Sequence, residues 1–193
     1  MRWEMGTSVK ARAFGFERDK FRELVLYVAR EAADDPTFGA VKLNKVLFRS
    51  DFEAYAVRGK PITGARYQRL PAGPAPVAML PIEEELLRWG DAEVELRDYH
   101  GLKQSRLVPR REPDVSLFAA AELELVDRVV RTFWGMDATT LSQLSHEESK
   151  GWQIVGDRQD IPYGSVFLST EPPPAVAVER ARQLASQYGW KSK

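Results

Sequence analysis

The stretch Leu43-Asn44-Lys45-Val46-Leu47-Phe48-Arg49-Ser50-Asp51-Phe52-Glu53-Ala54-Tyr55-Ala56-Val57 decides how this chain is built. Wound at about 100° per residue, it places Leu43, Val46, Leu47, Ala54 and Val57 on one face. Phe48, Phe52 and Tyr55 form a second apolar face. The narrow stripe left for solvent holds Lys45, Arg49, Glu53 and Ala56. Asn44 and Asp51 fall between the two apolar faces. The pattern predicts a nearly buried helix with an internal Asn and Asp. A buried carboxylate is costly unless it is hydrogen-bonded or paired. Asp51 therefore needs a partner, and the segment 64–74 offers three kinds: Tyr67, Arg66 or Arg69, and the amides of Ala72-Gly73. The carboxylate then pins the following loop, positions a loop for recognition or reacts directly.

Upstream, Phe21, Leu24, Val25, Val28 and Ala32 recur at helical spacing, which predicts a helix over 17–33 that Pro36 ends. Gly39 opens the central helix, and Gly59 stands at its C-terminal cap. Downstream, 62–70 holds a short strand, 71–76 reads as a rigid proline loop, and a helix follows over 76–89. Residues 93–99 alternate with Val94 and Leu96 on one face, His100-Gly101 turns, and 102–108 returns as the second strand of a hairpin. The span 116–134 is an amphipathic helix with Phe118, Leu125, Val126, Val129 and Phe133 inward, and Glu124–Arg128 and Asp127–Arg131 as i,i+4 pairs. Short helices over 139–144 and 145–151, a third strand over 166–168 and a last helix over 175–188 complete the reading. The fold class is α+β: a predominantly helical single domain over 16–190, behind an N-terminal arm (1–15), with a nearly buried central helix and a small antiparallel β-sheet (hairpin about 93–108).

The 193 residues carry 28 Lys plus Arg against 28 Asp plus Glu, so no global charge draws the chain to nucleic acid or to an anionic membrane. The absence of cysteine excludes disulfides, thiolate zinc sites and cysteine nucleophiles, and fits a cytoplasmic location. No signal-peptide core and no run of membrane-spanning length occurs, so no membrane partner is expected. There is no Walker loop and no G-x-G-x-x-G, and no cofactor is expected.

A second motif lies near the end. Ser145-His146-Glu147-Glu148 fits the S-x-x-E capping box, with Ser145 as cap, His146 as first helical residue and Glu148 reaching back. The positive helix end then disfavours protonation of His146, and Trp152 packs into the core. With one other histidine in the chain and no H-E-x-x-H, a metal set is not indicated. A helix-turn-helix over 139–155 would begin its second helix with Glu147 and Glu148, the wrong charge to meet DNA.

The run Lys42-Leu43-Asn44-Lys45-Val46-Leu47-Phe48-Arg49-Ser50-Asp51 resembles the opening signature of the Panacea domain family, the SocA-like antitoxins, also called GepA-like phage-associated proteins. Gly59-Lys60-Pro61-Ile62-Thr63-Gly64-Ala65-Arg66-Tyr67 is similar to its glycine-bounded connection. Ala72-Gly73-Pro74 is similar to its Gly-Pro loop, and Leu141-Ser142 with Ser145-His146-Glu147-Glu148 and Trp152 to its terminal motif. Gly151 stands where proline is more usual. The resemblance covers about 20–155. It implies a bacterial or phage antitoxin of a toxin–antitoxin system, which neutralises a cognate toxin by direct protein–protein binding, without catalysis, or as an adaptor that delivers the toxin to a protease. Asn44, Asp51, Gly73, Pro74, Ser145, Glu148 and Trp152 all accept structural roles. Arg66, Tyr67, Arg69 and His146, beside the two motifs, are the candidates for contact with the toxin. Two rival readings stay open: a metal-dependent hydrolase using Asp51, His146 and Glu148, and a DNA-binding regulator.

Overall fold

The structure is a computed structural model that describes residues 14–99, 101–168 and 174–189, with the side chains of Tyr99 and Leu102 excepted. The expected arm over 1–15 and the turn residue His100 lie largely or wholly outside the described residues.

Seven α-helices and two separate two-stranded antiparallel sheets occur among the described residues, in the order α1 (Arg18–Glu31), α2 (Ala40–Arg58), β1 (Tyr67–Leu70), β2 (Gly73–Pro76), α3 (Met79–Trp89), β3 (Ala92–Tyr99), β4 (Leu102–Pro109), α4 (Ala120–Phe133), α5 (Ala138–Glu148), α6 (Lys150–Ile154) and α7 (Ala175–Tyr188). The predominantly helical α+β class is as the sequence predicts. α2 is the central helix. It packs against α1 and α4, and also against β2, α5 and a 3-10 turn at Tyr163–Phe167. Gly59 ends it in the left-handed conformation (φ 70°), which costs glycine nothing.

The expected solvent stripe of α2 is only partly real. Arg49 and Glu53 are half-buried and Ala56 is exposed, but Lys45 is 3% exposed because β2 lies across it. Val57, expected inside, is 73% exposed. It belongs to the last turn, beyond the elements that cover the rest of the helix. Asp51 is fully buried and Asn44 half-buried, with the Asn44 Oδ1 atom buried and unpartnered.

The proline stretch expected as a loop is in part a strand. β2 pairs with β1 from Tyr67↔Pro76 to Leu70↔Gly73. Prolines are tolerated there because in a two-stranded ribbon each strand keeps an edge that needs no amide donor. The chain at 158–161 borders β1 on its other side: Arg158 N donates to Arg69 O (2.9 Å), and Ile161 N to Tyr67 O (2.8 Å). The expected third strand over 166–168 is replaced by the 3-10 turn Tyr163–Phe167.

The hairpin is present as β3–β4, paired from Ala92↔Pro109 to Tyr99↔Leu102. Its Val94 and Leu96, aligned on one face, are exposed; Ala92, Arg106 and Leu107 are the buried residues. Arg106 donates to the carbonyls of Ala32 (2.9 Å), Ala33 and Asp35 (3.1 Å), so it closes the C-terminal end of α1. α4 begins at Ala120, later than the pattern suggested, after a 3-10 turn at Val115–Leu117. Its charged residues reach across the fold instead of pairing along the helix. Tyr27 Oη donates to Asp127 (2.7 Å), and Arg128 pairs with Glu53 (2.5 Å).

Glu23, 2% exposed on α1, is a second anchor. It accepts from both Arg111 nitrogens (2.7 Å each) and from the Asp114 amide (2.9 Å). Burial opposes its ionisation, but the Arg111 and amide donors outweigh that and hold its carboxyl down at about 2. A depressed carboxyl stabilises the fold above its unfolded value near 4.3 and loses that contribution as pH falls toward 2. Glu23→Gln is expected to flatten that acid limb and to cost on the order of 2 to 3 kcal/mol at pH 7. Urea denaturation repeated from pH 2 to 7 measures both.

Candidate functional site

Three clusters, built from residues far apart in sequence, meet where α2, the β1–β2 ribbon and α5–α6 converge.

The first is the Asp51 knot. Asp51 Oδ1 accepts from the Thr63 amide (2.8 Å), and Oδ2 accepts from Thr63 Oγ1 (2.5 Å) and Tyr67 Oη (2.8 Å). Tyr67 Oη also lies 2.9 Å from the Leu47 carbonyl. Of the expected partners, Tyr67 is present, while Arg66, Arg69 and the Ala72-Gly73 amides are not. Thr63 takes their place. Burial raises the Asp51 carboxyl above the usual range, and the Thr63 and Tyr67 donors act against that rise. The Tyr67 ring is buried too, packed edge-on to Phe48 and Phe52. Asp51 thus ties the chain just before β1 to the middle of α2.

The second cluster is centred on Gly73, which opens β2 at φ 99°. A Cβ there would run into Lys45 Nζ and Ser145 Oγ. Backbone conformation and space both demand glycine. Lys45 Nζ donates to the Pro74 carbonyl (3.1 Å), and burial alone lowers its pKa to about 7. Ser145 is not a cap. α5 runs unbroken from Ala138 to Glu148, and Ser145 Oγ donates to the Ser142 carbonyl (2.8 Å) within it. Ser149 takes the capping role for α6, accepting from the Trp152 amide (3.2 Å). The capping-box spacing misplaced the break because Ser149 offers the same chemistry four residues later. Glu148 pairs with Arg49 of α2 and does not reach back to Ser145.

The third cluster is a stack. The His146 and Trp152 rings lie parallel, 3.8 Å apart at 11°, and the Arg69 guanidinium sits 4.2 Å from the Trp152 ring centre. Trp152 is half-buried against the core, and its Nε1 donates to the Leu70 carbonyl (3.1 Å). Arg69 donates to the carbonyls of Trp152 (3.2 Å) and Val155 (2.8 Å). His146 stands in the last turn of α5. Its pKa is lowered, as the sequence suggested, but the causes are burial and then the positive charge of Lys45, with no helix N-terminus involved. Gly151 has a local reason: a Cβ would strike Ser165 Oγ and Ile161.

Of the four contact candidates, Arg66 is the exposed one, bidentate to Asp160 (3.0 and 3.1 Å). Arg69 and His146 are half-buried around Trp152, and Tyr67 is internal. Asp51, His146 and Glu148 have three different surroundings: the knot, the stack and the Arg49 pair. Among the described residues no three His, Asp or Glu side chains gather as a metal site. α5 and α6 abut at Ser149, and α6 spans five residues, which is no recognition helix.

Between α2, α4, α5 and the 3-10 turn lies a cavity of about 250 Å³, with Lys45 in its lining beside Phe48, Phe52 and Leu141. Sequence reasoning placed Lys45 on the solvent stripe and so missed it as a lining residue of this cavity. It carries a charge within the helix pattern, and nothing local reveals that a distant strand covers it.

The motif residues brought together here are those of one family. A family model described as antitoxin SocA-like, Panacea domain, matches residues 43–153, more than half of the chain. This chain belongs to the SocA-like Panacea domain family. The matched span begins on α2 and ends in α6, so it encloses all three clusters of the Panacea domain. No curated protein and no solved structure matches the chain. No helix among the described residues is long and apolar enough to cross a membrane.

The lowered Lys45 pKa carries a sign. In the unfolded chain a lysine titrates near 10.4. Between about 7 and 10 the folded protein has lost a proton that the unfolded chain keeps, so this group makes stability rise with pH across that window. Lys45→Met is expected to abolish that rise and to stabilise the fold at pH 7 by on the order of 1 to 3 kcal/mol. Thermal and urea unfolding at pH 7 and pH 9.5 read both effects. Gly73→Ala is expected to destabilise by on the order of 2 kcal/mol or more, read the same way.

Proposed function

We propose that this Panacea domain is an antitoxin that neutralises a toxin encoded beside it by direct protein–protein binding, without catalysis. The carrying observation is that the motif residues hold one another. Asp51 is enclosed by Thr63 and Tyr67, Gly73 closes over Lys45 and Ser145, and Trp152 carries His146 and Arg69. A signature that builds the interior leaves the outer face free to vary with the partner.

The contact face in this reading is the outer side of the β1 ribbon and the α5–α6 corner. Arg66 is the side chain there that a docked toxin touches first, with Arg69 and His146 flanking it. Tyr67 contributes from inside by holding β1 on α2. A cytoplasmic site of action fits the cysteine-free sequence.

The test is co-expression with the neighbouring gene product. Growth rescue together with co-elution of the two chains is expected. Rescue with loss of the toxin, and no stable complex, would assign the protein to proteolytic delivery instead. A harmless neighbour, or no rescue, would remove the antitoxin reading. Arg66→Glu is expected to leave the melting temperature nearly unchanged, since its ion pair is exposed. Toxin affinity should fall about tenfold or more, mostly through slower association.

A further inference from the structure

Two lysines on α2, three residues apart, are buried to the same degree and treated differently. Lys42 Nζ lies 2.5 Å from Asp35 Oδ2 and 2.5 Å from Thr37 Oγ1, a buried ion pair with a second acceptor. Lys45 has the Pro74 carbonyl at 3.1 Å, and no carboxylate pairs with it among the described residues. An ammonium carries three N–H donors, and burying it without an opposite charge is costly.

The lining of the cavity continues this imbalance. Ser149 and Ser165 lie on its wall, each more than nine-tenths buried. The Ser149 oxygen accepts from the Trp152 amide, but neither hydroxyl donates to an acceptor among the described residues. Apart from Ser145, whose hydroxyl donates to the Ser142 carbonyl (2.8 Å), the inner wall is apolar, made by Phe48 and Phe52 of α2, Phe133 of α4, Leu141 and Leu144 of α5, and Val166. At the rim two cations, Arg49 and Lys150, face two carboxylates, Glu53 and Glu148, and Lys150 donates to the Glu147 carbonyl (3.2 Å). Arg49 pairs with Glu53 (3.3 Å) and with Glu148, and Arg128 with Glu53 (2.5 Å). The cavity therefore holds unused donors and one uncompensated positive charge inside a neutral mouth and hydrophobic walls.

We infer that this cavity is a binding site for a small carboxylic acid with an apolar body, its carboxylate against Lys45 and its body between Phe48, Phe52 and Leu141. One buried cation matches a monoanion; a phosphate dianion would leave a charge unbalanced in an apolar chamber. The carboxylate supplies the acceptors that Lys45 and the hydroxyls lack. The volume, about 250 Å³, lies just below the usual range of drug-sized ligand pockets and suits a free acid of modest size. This site is independent of the toxin-binding reading.

The test uses the full chain at pH 6.5, titrated with 3-phenylpropanoate, octanoate and the neutral 3-phenylpropanamide, followed by calorimetry and amide NMR. Saturable binding of the acids is expected, with shifts confined to α2, α5 and 163–168, and the phenylpropanoate bound about tenfold or more tighter than its amide. Lys45→Met should erase that preference. Val166→Trp, which fills the cavity from its wall, should abolish binding of all three. In the wild type, phenylpropanoate should raise the pH at which the Lys45 Cε resonance titrates. No saturable binding in the millimolar range, equal affinity for acid and amide, or an unmoved Lys45 titration would overturn the proposal. So would binding of a peptide that ends in a free phenylalanine carboxylate when the free acids fail, which would reassign the cavity to a protein terminus.

Discussion

Charged groups on a helix that is covered on several sides must be answered by the elements that cover them. α2 carries Lys42, Lys45 and Asp51 into the interior. Each is met by a different part of the chain: Lys42 by the turn before the helix, Asp51 by the segment after it, and Lys45 by β2. Burial of an unanswered charge costs several kcal/mol, far more than a misplaced methyl group. These three contacts therefore set where the neighbouring segments lie, and apolar packing fills what remains.

The segment after α2 shows how this works. Asp51 holds Thr63 and Tyr67, which fixes the start of β1. The ribbon then turns back so that Gly73 passes over Lys45 and Ser145 at a distance only a glycine permits. Leu70 receives the Trp152 indole, and Arg69 stacks on the same ring, so the C-terminal motif docks on the ribbon and not directly on the helix. Two motifs separated by most of the domain become one structure through a four-residue strand pair. His146 senses Lys45 through the same arrangement.

The carboxylate knot and the glycine passage are interior, while the aromatic stack is half-buried and leaves His146 Nε2 without a hydrogen-bond partner among the described residues. Among the buried charges of α2, Lys45 is the exception. It is held as deeply as its neighbours but lacks a counter-charge, and it opens on a chamber whose inner hydroxyls, Ser149 and Ser165, donate to no acceptor among the described residues. A fold that pairs Lys42 so fully has the means to pair Lys45 and does not, which is why the chamber reads as a site and not as a packing flaw.

What the sequence determined by itself is whatever depends on short-range periodicity and on residue types with few conformational options. The spacing of Phe21 to Ala32, the two apolar faces of α2, the Gly59 end and the alternating hairpin all follow from local rules. The demand that Asp51 find a tyrosine or a similar donor follows from the cost of a buried carboxylate. The family resemblance rested on motifs whose residue types are constrained in this way. Only the tertiary structure decided which polar residue faces inward when a stripe could face either way. Lys45 lies on the predicted solvent side and is buried because a strand that begins 28 residues later crosses it. It also decided that Pro74 and Pro76 sit in a strand, that Ser149 and not Ser145 caps the helix, and that Arg128 seeks Glu53 across the fold instead of Glu124 along it. In each case residue spacing allowed two local solutions, and long-range contacts, which leave no trace in that spacing, selected one.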